Sequence, residues 1–466
     1  MSRSSARRIV SACALSATMA AFAVPGTASA KVVKGKVGEQ CSSEEAVNGR
    51  GSSLQKLAQV ETWIPAFENA ANTNKAACSG TQGGKKTPKL TYQPEGSGAG
   101  LKAFGAEGEP KLSGKEVQFA GTDEPPNEKQ KSEIESHEKT PAKEALLSIP
   151  VIQAAVTNIV HLPEHCTATS TAAPGRLALN NVTLVKIWLG EITKWSELTE
   201  DGNKLSGEGC NPEEEIKHVV RLDQSGTTHI YKKYLGLIST EQVPFENVAK
   251  ESVGNKDFSE TSEGTENQSW PVADKVLRPA KKGGGEVAAE VFATPSSIGY
   301  VNLAEARVDG FSPAAKSGGP GTATFWTELQ NDGVITTGKI TYADPATNLD
   351  VGVDGNSNCA AEAYTNGAGK KFPPKSTKLL WNSVTTATKE KHYPACGLSY
   401  DLALTKYQDF TEAPTEGQVT TVSDYIGFIL NSETGGGQVE IQNKDYEALP
   451  SKLLKIAREG QEEVGN

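Results

Sequence analysis

The sequence predicts a mixed α/β fold of two domains, with an open sheet whose strand carboxyl ends line one crevice. Three observations predict it. Four polar turns marked by Gly or Pro, at 49–53, 96–100, 122–126 and 221–227, each stand at the end of an apolar run. In an open α/β sheet such turns gather in one crevice at the strand carboxyl ends. The stretch LLSIPVIQAAVTNIV, 146–160, is a continuous apolar run of the kind a buried strand requires. Finally, 466 residues exceed one comfortable domain, so two are expected.

Residues 1–30 read as an export signal. Arg3, Arg7 and Arg8 form a basic start, a short apolar run follows, and Ala28-Ser29-Ala30 offers a small-residue cleavage site. That run is too short for a stable membrane span. Arg7-Arg8 fits a twin-arginine signal poorly, and Val10 to Cys13 stands too close to the basic start for a good lipoprotein box. Removing three arginines and no acids takes the formal charge from −10 to −13. With no basic block interleaved with aromatics, nucleic acid is not an expected partner. An exported protein at the periplasm or outer face of the envelope is expected, and a monomer.

Cysteine usage agrees with export. Cys13 leaves with the signal, and Cys41, Cys78, Cys166, Cys210, Cys359 and Cys396 remain. An even count in an exported chain favours disulfides, with fifteen possible connectivities. The simplest pairs sequential neighbours. Zinc is the rival reading, because His161 and His165 flank Cys166. It lacks a C-x-x-C partner, and Pro163 argues against two ligands on one helical turn. No cofactor or metal is expected.

The elements follow in order. Gly49 to Ser53 reads as a Gly/Ser loop capping a helix that carries Leu54, Leu57, Ile64 and Phe67 at helical offsets. Leu90 and Tyr92 alternate as in a strand, and Gly96 to Gly100 leads into a second short helix. Val117 and Phe119 mark another strand, ending at Thr122-Asp123 before Pro125-Pro126. Residues 127–145 are charged and read as an exposed helix or loop. Residues 180–198 form an amphipathic helix followed by Trp195, 251–287 are polar and Gly-rich, and 297–301 are a short buried strand. Residues 310–375 read as loops pinned by Cys359, 397–404 as a strand, and the tail as a helix with Leu453, Leu454 and Ile456.

The centre of the chemistry is RLDQSGTTHIYKKYLGLI, 221–238. Val219-Val220 leads into Arg221 and Asp223, and Ser225-Gly226-Thr227 opens a segment with Ile230, Tyr231, Tyr234, Leu235 and Ile238 at helical spacing. A helix N-terminus there presents unpaired N–H groups and the positive end of the dipole, which favour an anion. Gly226 permits close approach, and the Arg221 fork fits an oxyanion. Asp223 would repel an anion that carries no proton. An N-capped helix with a surface Arg–Asp pair is the plainer reading of the same residues.

Taken in order, GSGAG at 96–100, FAGTDEP at 119–125, IPVIQAAV at 149–156, IWLGEITKW at 187–195, VVRLDQSGT at 219–227, SIGYV at 297–301 and DYEALP at 445–450 resemble one family. It is the PstS-type phosphate-binding protein, the extracytoplasmic receptor of the bacterial ABC phosphate importer. The resemblance implies a two-lobed periplasmic-binding-protein fold (type II), with a ligand cleft between lobes joined by two crossing strands. Lobe one would be 40–157 plus 394–466, and lobe two 158–393. It implies a binding protein rather than an enzyme, with ABC permease subunits as partners.

Carried over position by position, the phosphate ligands would be Ser53 and the Leu54 amide, Ser97, Asp123, Arg221, Asp223, Ser225, Gly226 and Thr227. The family usually has Thr-Phe where Ser53-Leu54 stands and a small residue where Gln224 stands. Asp123 would accept the hydrogen bond of phosphate's proton, which sulfate lacks, and Asp223 would hold Arg221. Receptors for sulfate or arsenate, and a scavenger or sensor without a permease, are the alternatives within the class. A secreted phosphatase-like hydrolase is the alternative outside it. GSGAG does not fit G-x-S-x-G, and GGKKT at 83–87 is no P-loop.

Overall fold

The computed structural model describes residues 46–73, 88–110, 113–136, 145–170, 172–198, 203–239, 270, 280–313, 323–331, 340–349, 354–359, 364–365, 374–386, 392–407 and 412–465. The signal segment, Cys41 and Cys78, and much of 251–287 and 310–375 lie outside the described residues.

The fold is built on one eight-stranded mixed sheet. Its strands are β1 (Val47–Gly51), β2 (Leu90–Gln93), β3 (Phe119–Thr122), β4 (Leu146–His161), β5 (Lys217–His218), β6 (Ser297–Asn302), β7 (Thr324–Trp326) and β8 (Cys396–Leu404). The order is β2-β1-β3-β8-β4-β6-β5, with β7 also on β4. β1 runs parallel to β2 and β3, and β5 parallel to β6, while β8 and β4 are antiparallel to their neighbours. The apolar run at 146–160 is β4, and all but its last residue are buried. β4 changes partner midway. Residues 146–155 pair with β8, and 156–161 pair with β6. The sheet therefore has a β1–β3 side and a β5–β6 side joined through one strand.

Helices cover the sheet: α1 (Ile64–Thr73, preceded by π-helical turns over Leu57–Trp63), α2 (Ser97–Ala103), α3 (Glu128–Ser136), α4 (Asn181–Leu189), α5 (Gly226–Ser239), α6 (Gly283–Ala293), α7 (Leu303–Val308), α8 (Glu416–Ile429), α9 (Gly437–Glu440) and α10 (Ser451–Gln461). Their ends follow local chemistry. Asn180 caps α4 by accepting from Thr183 N at 2.8 Å, and Gly190 ends it in the left-handed region. Thr415 and Gln418 form a reciprocal capping box on α8. Among the described residues no helix is long and apolar enough to cross a membrane.

Several expectations need correcting. Residues 310–375 are not loop throughout, since β7 lies there with further short strands at Glu328–Asn331 and Thr341–Ala343. The helix expected over 180–198 is α4 and stops at Leu189, where Gly190 takes the left-handed region. Residues 49–51 are not a capping loop but the end of β1, and the turn begins at Ser52. Their glycines misled, because β1 must pack closely on its neighbours: any Cβ at Gly49 would overlap the Phe119 ring. Likewise Gly96 to Gly100 does not lead into α2; Ser97 is already its first residue.

Cys166 is bonded to Cys210 and Cys359 to Cys396, two of the three sequential pairs. The zinc reading falls with the first bond, and no metal-holding cluster occurs among the described residues. The bridges span 44 and 37 residues. In the chain-entropy model each is worth roughly 3–4 kcal/mol.

Burial also has a cost in protons. Glu305, at the start of α7, is buried and its pKa is pushed up to about 7 by that burial, against the opposing charges of Arg221 and Lys56. A carboxyl raised in the fold favours folding fully below its unfolded pKa, and this contribution is lost as pH rises through 7. Glu305→Gln does not titrate. Measured against that variant, the wild type is expected to lose on the order of 2 kcal/mol of stability between pH 5 and pH 8. Denaturant melts at the two pH values check this, and a pH-independent difference would refute it.

Candidate anion-binding site

The site forms where β1 and β3 end and where α2 and α5 begin. Ser52 and Ser53 follow β1, Ser97 opens α2, Asp123 follows β3, and Arg221 to Ser225 lead into α5. All of Ser53, Leu54, Ser97, Asp123, Arg221, Ser225 and Thr227 are buried. The structure therefore brings the sequence-derived residues together from both sides of the sheet. Gly226 shows how closely: a Cβ there would overlap Ser97 Oγ and the Asp123 backbone. The first turn of α5 thus stands directly against the turn that follows β3.

Ser225 caps α5, its Oγ accepting from Thr228 N at 3.2 Å. Gly226 and Thr227 then supply the first two helical amides, which no carbonyl of the helix can reach. On the β5–β6 side Arg221 is gripped in a fork. Its Nε donates to Asp223 Oδ1 at 2.8 Å and its Nη2 to Asp223 Oδ2. Nη2 also donates to Ser53 Oγ at 3.0 Å, across to the β1–β3 side. Nη1 is different: it is buried and has no hydrogen-bond acceptor. A guanidinium donor left so is costly unless an anion accepts from it.

Asp223 is held from both flanks, because Gly283 N at the start of α6 donates to Oδ1 at 2.9 Å. Burial raises the pKa of this carboxyl, but the hydrogen bonds and charge of Arg221 outweigh it and hold it below the usual range. Asp223 therefore positions Arg221 as a fixed ion pair. Its oxygens accept from the arginine and from the Gly283 amide.

Asp123 is surrounded by hydroxyls. Ser52 Oγ donates to Oδ1 at 2.6 Å, Ser399 Oγ donates to the same oxygen, and Ser97 Oγ donates to Oδ2 at 3.3 Å. The result is a buried carboxyl group held by three hydroxyls, its pKa raised by burial against the pull of its hydrogen bonds and of Arg221.

Sequence reading missed several members. Ser52 adjoins Ser53 and could have been suspected. Ser399, on β8, had no local signal, because its partner Asp123 is 276 residues away. Tyr300 was missed too: its hydroxyl bonds Thr228 Oγ1 at 2.7 Å and receives Arg221 N at 3.4 Å. Gln224, the departure from the family pattern, turns away from Arg221. Its Nε2 donates to Glu107 Oε2 at 3.0 Å and its carbonyl accepts from Gly98 N at 3.1 Å.

An α/β sheet in two parts joined by a long strand, with helix N-termini, a fixed arginine and a buried carboxyl group meeting between them, has the frame of a periplasmic-type binding protein. The chain belongs to the PBP superfamily, whose domain model matches residues 28–364, and within it to the PstS-type phosphate-binding proteins. It is 30% identical to the phosphate-binding protein PstS of Haemophilus influenzae over 378 residues, 79% of this chain and 83% of that one. It is 24% identical to phosphate-binding protein PstS 3 of Mycobacterium tuberculosis over 435 residues, 92% and 88% of the two chains. With the Pasteurella multocida PstS the identity is 31% over 220 residues, 47% of this chain and only half the length of that relative. Among solved structures, a phosphate-binding protein from Stenotrophomonas maltophilia shares the fold at TM-score 0.53 and 18% identity, covering 89% of this chain and 94% of that one.

Proposed function

We propose that this protein binds inorganic phosphate in the crevice between the two sides of its sheet and delivers it to an ABC importer. The observation that carries the reading is the pairing of two opposite needs at one point. Arg221 Nη1 is a buried donor with no acceptor, and Asp123 is a buried carboxylate already ringed by hydroxyl donors. Phosphate near neutral pH meets both, with oxygens for the arginine and α5 amides and a proton for Asp123. Sulfate meets only the first. Ser53, the Leu54 amide, Ser97, Asp123, Arg221, Ser225, Gly226 and Thr227 form the ligand set, with Asp223 as the support of Arg221.

The two sides of the sheet correspond to lobe one, 40–157 plus 394–466, and lobe two, 158–393, which close on the ligand. The protein acts outside the cytoplasm as a monomeric receptor for membrane permease subunits and performs no chemistry on phosphate. The names of its relatives support binding over hydrolysis. Calorimetric titration with phosphate and sulfate tests the reading. Saturable binding of phosphate with sulfate far weaker is expected; equal affinities, or phosphate ester hydrolysis by the purified protein, would overturn it.

Closure leaves its own mark at Gly98. A Cβ there would overlap the Gln224 side chain at both its Cβ and its Oε1. Gly98→Ala is expected to hold the two sides apart and weaken phosphate binding about tenfold, the loss of roughly one net hydrogen bond. Adding Gln224→Gly should restore much of the affinity, since it removes the obstructed partner. Titrations of the single and double variants measure this; no rescue in the double variant would place the obstruction elsewhere.

A further inference from the structure

Asp123 owes its hydrogen-bonding environment to a buried chain of polar groups that begins at a second carboxyl. Asp401 lies on β8, two residues beyond Ser399, and is fully buried. Its Oδ1 accepts from Gln59 Nε2 at 3.4 Å. The same Nε2 donates to Gln55 Oε1 at 2.9 Å. Gln55 Nε2 donates in turn to Ser399 Oγ at 2.8 Å and to the Tyr400 carbonyl at 3.0 Å. Ser399 Oγ then donates to Asp123 Oδ1. Every side chain in this path is buried.

Such a chain has a direction. An amide has one donating and one accepting end, and a hydroxyl has a single proton, so the orientation at one end constrains each link that follows. Burial pushes the pKa of the Asp401 carboxyl up to about 7, so above that pH it is ionised and can only accept. Facing Asp401, Gln59 must present its NH₂, and its oxygen is left to Tyr425, whose hydroxyl donates to it at 2.5 Å. Gln55 then turns its oxygen to Gln59 and its NH₂ to Ser399 and to the Tyr400 carbonyl, an acceptor that favours the same orientation. Ser399, already accepting from Gln55, has its proton free for Asp123. Were the chain reversed, Ser399 would spend that proton on Gln55, and Asp123 would lose a donor that favours its ionised form.

We infer that Asp401 is a positioning residue for anion selectivity, setting from a distance the direction of the Gln59–Gln55–Ser399 chain that holds Asp123 as an acceptor. This rests on the reading that Asp123 accepts phosphate's proton. Asp401 touches no ligand. Its contribution is to keep Asp123 from becoming a donor, because a protonated Asp123 would offer sulfate the hydrogen bond that the ionised form denies it.

The test is Asp401→Asn, which keeps the shape but can show Gln59 either an oxygen or an NH₂. Paired titrations with phosphate and sulfate are expected to show the ratio of the two affinities reduced about tenfold, the worth of one redirected hydrogen bond. Gln59→Met cuts the chain in the middle and is expected to reduce the ratio likewise; it serves if Asp401→Asn does not fold. Tyr425→Phe removes the other partner of Gln59 while leaving Asp401, and should preserve the ratio. A purely structural role for Asp401 predicts instead equal weakening of both anions with a lower melting temperature, and that outcome, or an unchanged ratio in Asp401→Asn and Gln59→Met, overturns the inference. Failure of the underlying reading looks different: wild type would then show no preference for phosphate at all.

Discussion

Arg221→Ala is expected to reduce phosphate affinity by at least about a hundredfold while leaving a folded protein. The first part of that loss is the hydrogen bonding of Nη1. A charge-assisted hydrogen bond in a buried site is worth roughly 1.5–3 kcal/mol. The second part is what the substitution leaves behind. Asp223 loses both of its bonds to the guanidinium and keeps the Gly283 amide, so a largely uncompensated negative charge stands beside an anion site. Its pKa, held low by Arg221, should rise, and binding in the variant should recover partly at lower pH as Asp223 takes up a proton. Ser53 also loses its donor from across the crevice. Calorimetry between pH 5 and pH 8, with a melting curve to confirm the fold, measures both effects. Wild-type affinity in a folded Arg221→Ala variant would move the site elsewhere.

The second large effect concerns selectivity. Asp123→Asn removes the negative charge with almost no change in size. The amide keeps an oxygen that can accept phosphate's proton and gains an NH₂ that sulfate can use. Sites built on an obligatory hydrogen bond discriminate by roughly 10⁴–10⁵, so there is much to lose. Sulfate binding is expected to become measurable in the variant while phosphate affinity changes far less. The hydroxyls of Ser52, Ser399 and Ser97 can rotate to meet the amide, so the fold should survive. If sulfate stays undetectable and only the melting temperature falls, Asp123 caps its turn and reads no proton.

What could be seen in the sequence followed the range of the interactions. Arg221 and Asp223 are two residues apart, and Ser225 to Thr227 sit at a helix start marked by its own spacing, so their arrangement is local and legible. β4 was legible because an uninterrupted apolar run leaves few alternatives. The partners of Asp123 were not. Ser399 belongs to a strand whose pattern speaks only of burial, and Gln55 and Gln59 look like unremarkable polar residues of a helix. Their roles exist only once β8 has been laid between β3 and β4. The glycines at 49 and 51 misdirected for a related reason. Glycine marks a turn when seen locally, but in β1 it answers distant neighbours, the Phe119 ring at Gly49 and the Gly121 carbonyl at Gly51.

β4 belongs to both sides of the sheet, and this bears on how the molecule comes apart. Nine of its residues are paired with β8, and the last six with β6, without a break in the chain. Neither side can melt without stripping one face of a strand the other still needs. Heating should therefore produce a single calorimetric transition, and the amides of 150–158 should be among the last to exchange with deuterium. A protein made this way is, thermodynamically, one indivisible unit.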